Sequence, residues 1–157
     1  MRRMALILSV AAVALCAGNA APGMGKPQIE YEVNGCADSC PAYRVAVWKN
    51  GQGMFTGIRN TRIMGAGPFS MTEQQYSAFE GALDPHRPSG KEKVYGPGSK
   101  LCAEVVADKG SVDVRWGGGN HLHYDYGCDA AKNEAMASEL ANAPRTLPIA
   151  AMIGAAR

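Results

Sequence analysis

The sequence predicts an α+β domain, with an antiparallel sheet of about five to seven strands and two main helices packed on one face. Three observations carry this. Short segments with two-residue apolar alternation recur on both sides of a helical segment. Glycine-bearing turn signals separate neighbouring alternating segments, as antiparallel pairing requires. The two segments with helical apolar spacing lie far apart, and each ends at a proline, Pro85 and Pro144.

The first alternation runs over Gln28 to Val33, where Ile29, Tyr31 and Val33 share one face and Gln28, Glu30 and Glu32 the other. Such a strand is half-buried. Tyr43 to Trp48 is the second strand, with Tyr43, Val45 and Val47 on one face. Asn50-Gly51 marks a hairpin, because both residues tolerate positive φ, and Gly53 to Ile58 returns as its partner. Arg62 to Met64 adds a short further strand. Thr72 and Gln75 form a capping box with Glu73 in the first turn, and Tyr76, Phe79 and Leu83 make the buried stripe of helix one. Asp84 to Lys100 is an irregular loop holding three prolines and three glycines. A loop of that length in a compact domain is a place for function or motion.

Leu101 to Ala107 reads as a strand, followed by a turn at Asp108-Lys109-Gly110. Ser111 to Trp116 alternates with Val112, Val114 and Trp116 on one face, and His121 to Tyr126 with Leu122, Tyr124 and Tyr126. The two apolar faces match only if the turn around Gly117 to Asn120 has an odd number of residues. Asp129 caps helix two, which runs to about Ala143 with Met136 and Leu140 buried. Leu147 to Gly154 is an apolar tail with Pro148 placed for a first helical turn, and it docks on the core.

The N-terminus reads as a secretory signal covering residues 1–20. Arg2 and Arg3 precede an apolar stretch, Met4 to Ala17, too short for a membrane span, and Gly18-Asn19-Ala20 supplies small residues for cleavage. Residues 21–27 are a Gly/Pro leader, and residues 28–157 form a single domain. Removing the signal takes two of the 16 Lys+Arg and leaves 14 against 14 Asp+Glu. The net charge is then zero, and the sequence shows no basic stripe to attract nucleic acid or anionic lipid. Cys16 lies in a partial lipoprotein pattern, Val13-Ala14-Leu15-Cys16, but Leu15 is larger than that pattern wants. Membrane attachment is expected only if Cys16 is lipidated. The expected location is therefore the periplasm or the exterior.

Four cysteines remain, Cys36, Cys40, Cys102 and Cys128, an even number that favours two disulfides in an exported chain. Three pairings are open. Loop-closure entropy favours bridges that close long loops, whereas turn geometry favours the local pair. Cys36–Cys40 with Cys102–Cys128 is the preferred reading. The Cys36-x-x-x-Cys40-Pro41 loop is similar to the metal-binding loop of Sco-type copper chaperones, whose soft thiolates and a distant histidine suit Cu(I). That resemblance implies a periplasmic copper- or thiol-handling protein as the alternative function, with copper as cofactor. Pro41 here leads into a strand rather than a helix, which separates the chain from thioredoxin-type chemistry.

His121, His123 and Asp125 share one strand face, the spacing of a weak metal site or proton relay, with Asp113 and Arg115 across the hairpin. A solvated strand face is the simpler reading. His86 and Arg87 could contact an anion from the long loop. Gly117 to Asn120 lacks the Lys-Ser/Thr and following helix of a phosphate loop. No Gly-x-Ser-x-Gly, catalytic carboxylate pair or Ser/His/Asp pattern is present, so the chain leans away from enzymes and no catalytic residue is assigned. Its partner is expected to be an envelope component or a small ligand.

The opening Tyr31-Glu32, Cys36, Cys40-Pro41 and Tyr43-x-Val45, followed by the Asn50-Gly51 to Thr56-Gly57 hairpin, Thr72 to Tyr76 and His123-Tyr124-x-Tyr126-Gly127-Cys128, resembles a family of exported bacterial domains of unknown function. The resemblance spans roughly residues 28–143. It implies location and fold and supplies no catalytic residue. Asp38-Ser39 stands where that family has a glycine between the cysteines.

Overall fold

The structure is a computed structural model, and it describes residues 25–37 and 39–154. Residues 1–20, read from the sequence as an export signal and including Cys16, residues 21–24 of the leader, and Asp38 lie outside the described residues. Seven strands form one sheet: β1 Ile29–Asn34, β2 Ala42–Val47, β3 Gln52–Arg59, β4 Gly65–Ser70, β5 Glu92–Tyr95, β6 Ser111–Trp116 and β7 His121–Asp125. Their spatial order is β4-β3-β2-β1-β6-β7-β5. Helices α1 Glu73–Leu83 and α2 Glu134–Asn142 are the two main ones, and α3 Ala150–Ile153 is a single turn. This is the α+β class read from the sequence.

One face of the sheet is the core. Ile29, Tyr31, Val45, Val47, Phe55, Val112, Val114, Leu122 and Tyr124 are fully buried there, packed with Phe79 and Leu83 of α1, Leu140 of α2 and Ile149 from the tail. Full burial of each Val, Leu, Ile or Phe side chain stabilises by roughly 1.5–3 kcal/mol. Tyr31 carries its hydroxyl into this core and donates to the Leu140 carbonyl oxygen at 2.8 Å, tying β1 to α2. The capping box holds, with the Gln75 amide donating to Thr72 Oγ1 at 3.2 Å and the Thr72 amide to Gln75 Oε1 at 2.9 Å. The tail docks as expected, since Leu147 and Ile149 are buried and the Arg62 and Ile63 amides donate to the Ile153 and Met152 carbonyls.

The β2–β3 and β6–β7 hairpin turns each use three residues and a single positive φ. In the first, only Gly51 takes φ 82°, so Asn50 does not need the left-handed region. In the second, Gly119 takes φ 92°, and Trp116 and Asn120 close a three-residue loop. This odd length aligns Val114 with Leu122 and Val112 with Tyr124, so the valines meet apolar partners.

Four local expectations need correction. Leu101 to Ala107 is not a strand: only Val105 makes an isolated bridge, to Cys128, and Leu101, Val105 and Val106 are 42%, 43% and 49% exposed. The place beside β7 is already filled by β5, which lies inside the segment read as irregular. β5 runs parallel to β7, so the sheet is mixed rather than wholly antiparallel. After β4 at one edge the chain crosses under the sheet through α1 and joins the far edge. Arg62 to Met64 is also not a strand, with Met64 60% exposed, and β4 is instead the glycine-rich Gly65–Ser70. Finally, Asp129 does not cap α2. It takes φ 42° and its carboxylate accepts from the Ala103 and Glu104 amides, while α2 begins five residues later.

Candidate functional site

The helices leave the second face of the sheet open, and pleating places the polar half of each strand there. Cross-strand register builds two rows of side chains. One reads Arg44, Glu32, Asp113, His123 and Val94 across β2, β1, β6, β7 and β5. The other reads Ala46, Glu30, Arg115, His121 and Glu92. Met54 and Thr56 of β3, with Pro68 and Ala66 of β4, continue the same face without charge.

Asp113 is the centre of the charged half. Its Oδ1 lies 2.7 Å from His121 Nε2 and 3.2 Å from His123 Nδ1, and Oδ2 is 3.2 Å from the same His123 nitrogen. His121 Nδ1 lies 2.8 Å from Glu92 Oε1, so this imidazole is held between two carboxylates from different strands. Arg44 pairs with Glu32 at 2.7 Å, whereas Arg115 reaches Asp113 only at 3.7 Å.

The face thus brings His121 and His123 together around Asp113 and Glu92. Asp125 stays apart: its Oδ1 accepts from the Gly127 amide at 2.7 Å and fixes the turn after β7. Among the described residues, no group of three or more His, Cys, Asp or Glu side chains is arranged to hold a metal ion. Glu92 went unseen because β5 was read as loop, and its register opposite His121 is the signal that finds it.

A cleft of about 390 Å³ opens at the end of this face, where the Trp116–His121 turn meets the start of β1. Lys26, Glu30 and Arg115 supply its charged groups, and His121 lines it as well. The turn is rigid because Asn120 is fully engaged. Its Oδ1 accepts from Arg87 Nε and Nη2 at 3.0 and 2.9 Å, and its Nδ2 donates to the Pro88 and Gly90 carbonyls. Arg87 also lies over the Trp116 ring at 5.7 Å. Arg87 therefore braces the turn, and His86 pairs with Glu139 of α2 at 2.8 Å.

The cysteines sit at the opposite end of the sheet. Cys36 is bonded to Cys40 and Cys102 to Cys128, with Cα–Cα distances of 5.1 and 5.4 Å. The first bridge closes the β1–β2 turn. Arg59 sits against that turn and donates to the Ala37 and Cys36 carbonyl oxygens at 2.6 and 2.9 Å. The second bridge pins the exposed Leu101–Val106 segment to the end of β7. The Val106 amide donates to the Gly127 carbonyl and the Asp129 amide to that of Glu104, both at 2.9 Å. Gly127 is required here, since a Cβ would collide with the Val106 carbonyl oxygen. The two backbone amides of Glu104 and Ala103 hold the Asp129 carboxyl below the usual carboxylate range.

Tyrosines contribute to the core beneath the site. Tyr95, Tyr124 and Tyr126 stack edge-to-face at 5.8 and 5.4 Å. Burial raises the Tyr31 and Tyr43 hydroxyls, and pushes Tyr126 up to about 12. They act as neutral hydrogen-bonding and packing groups rather than as acids.

Comparison with known proteins returns no match among curated proteins or solved structures. A family model, domain of unknown function DUF6438, matches residues 27–144, which takes in all seven strands and both main helices. The chain belongs to the DUF6438 family of domains of unknown function.

Proposed function

We propose that the protein is an exported, non-enzymatic binding domain of the bacterial envelope that presents the open face of its sheet to a partner or small ligand. The observation that carries this reading is the contrast between the two faces. Among the described residues the helices pack on one side, while the other displays ordered charged rows and ends in a cleft with a braced rim. Disulfides fit an oxidising compartment. No helix among the described residues is long and apolar enough to cross a membrane. The basic start, short apolar stretch and Ala20 of the N-terminal segment support export.

The copper alternative draws no support from the site geometry. Cys36 and Cys40 are bonded to each other, and His121 and His123 of β7 are engaged with Asp113 of β6.

The test is the intact mass of the full chain expressed in a bacterium with a periplasm, with thiol alkylation before and after reduction. A periplasmic product beginning at Ala21, unalkylated until reduced, is the expected result. A lipid on Cys16 would keep the envelope location and replace the soluble form with an anchored one. A cytosolic product retaining residues 1–20 overturns export. Free Cys36 and Cys40 that take up one Cu(I) would establish the copper-handling reading instead.

A further inference from the structure

We infer that the cleft beside the Trp116–His121 turn binds a small zwitterion of the α-amino acid class, an assignment that rests on the open face being a binding surface. Glu30 and Arg115 are direct partners in the β1–β6 register. Side chains in that relation have Cβ atoms about 4.5–5.5 Å apart, close enough to pair. Among the described residues no ion pair joins them, and both line the cleft. Arg115 is also poorly matched elsewhere, since its 3.7 Å contact is with a carboxylate that already takes two histidines at 2.7 and 3.2 Å. Lys26, a second cation on the rim, enters no ion pair among the described residues.

The cleft therefore presents Glu30 and Lys26, neither in an ion pair among the described residues, beside Arg115, whose one ion pair is the long 3.7 Å contact with Asp113. An α-amino acid carries both complementary charges on a single carbon. Its carboxylate suits the planar fork of Arg115, with Lys26 adding attraction, and its ammonium suits Glu30. The volume of about 390 Å³ lies in the range of small-molecule sites, roughly 300–1,000 Å³. The four Asn120 hydrogen bonds fix the turn that forms one wall of the cleft, so that wall needs no further ordering on binding. His121, held between Glu92 and Asp113, also lines the cleft.

The experiment is calorimetric titration of the disulfide-intact protein with L-alanine and L-phenylalanine, and with acetate, ethylamine and inorganic phosphate as single-charge probes. Both amino acids are expected to bind more tightly than acetate or ethylamine. Arg115→Ala is expected to weaken amino acids and acetate by about tenfold or more, the loss of a charged hydrogen-bonding pair. Glu30→Gln is expected to weaken amino acids while leaving acetate unchanged, and as a near-isosteric surface change it leaves the fold intact. Amino acids that bind no better than acetate, or that ignore Glu30→Gln, overturn the zwitterion assignment. Phosphate binding tighter than either amino acid also overturns it while preserving the cleft as a binding site. No heat from any probe, together with a different envelope ligand mapping to the open face, refutes this inference and spares the broader reading. A ligand that maps to the helical face refutes both.

Discussion

Removing the two disulfides separately should cost different amounts, with the larger loss at the bridge that looks less like a motif. Cys102–Cys128 joins residues 26 apart and closes a loop that restricts the unfolded chain, whereas Cys36–Cys40 spans only four. On the chain-entropy estimate the first contributes about 3.5 kcal/mol and the second about 2 kcal/mol. Truncation adds to the first figure, because Cys128 is fully buried and Cys128→Ala leaves a small void. The backbone bonds at Val106–Gly127 and Glu104–Asp129 remain in the variant, so the native loop stays docked and the loop-closure part of the loss resides in the unfolded state. The assay is urea unfolding of C102A/C128A and C36A/C40A, followed by circular dichroism. The C102A/C128A variant should lose more stability and show the larger rise in m-value, since its unfolded chain gains more exposed surface. Equal losses, or a larger loss at Cys36–Cys40, would refute the loop-entropy reasoning.

Further outcomes follow from single contacts. Gly127→Ala should destabilise by more than about 2 kcal/mol in the same assay, because its methyl meets the Val106 carbonyl and the backbone must move. Tyr31→Phe should cost about 1–3 kcal/mol, since the buried Leu140 carbonyl loses its donor. The Asp129 carboxyl is lowered in the fold, so its stabilisation is present above the unfolded value near 3.8 and is lost as pH falls through the folded value. Acid unfolding of Asp129→Asn, followed below pH 4, should therefore be less steep than that of the parent. Tyr126 is raised to about 12, so its contribution is whole below pH 10 and is lost as pH climbs from there towards 12. Absorbance at alkaline pH should show its ionisation delayed until unfolding.

The fold class was readable because burial on one face leaves a direct mark on sequence. Ile29/Tyr31, Val45/Val47, Val112/Val114 and Leu122/Tyr124 alternate, and each pair lies fully buried. The odd turn at Gly117 to Asn120 was readable for the same reason, since register couples loop length to face. β5 was hidden because an edge strand of four residues, Glu92 to Tyr95, with two charges, carries too little alternation to rise above its Pro/Gly surroundings. Leu101 to Ala107 misled in the opposite way. Its apolar content suggested a strand, but a strand needs a free sheet edge, and only tertiary structure shows that β5 holds it. Asp129 has the composition of a helix cap, yet its left-handed backbone turns the carboxylate towards the Ala103–Glu104 amides.

The site was partly legible. Placing His121 and His123 on one face with Asp113 across the hairpin needs only the two-residue period. Glu92 needs β5, and the pairing of β1 with β6 that sets Glu30 opposite Arg115 joins segments some 80 residues apart, which no local pattern reveals. Asp125 shares the histidines' strand and face, but its side chain is taken by the Gly127 amide.

The most direct test of the account is amide chemical-shift mapping of the disulfide-intact protein titrated with small molecules extracted from the bacterial envelope. Shifts are expected along the open face, concentrated at Glu30, Arg115 and Gly117 to His121, with α1 and α2 unmoved. Shifts confined to the helices, or chemical turnover of any added component, would contradict it.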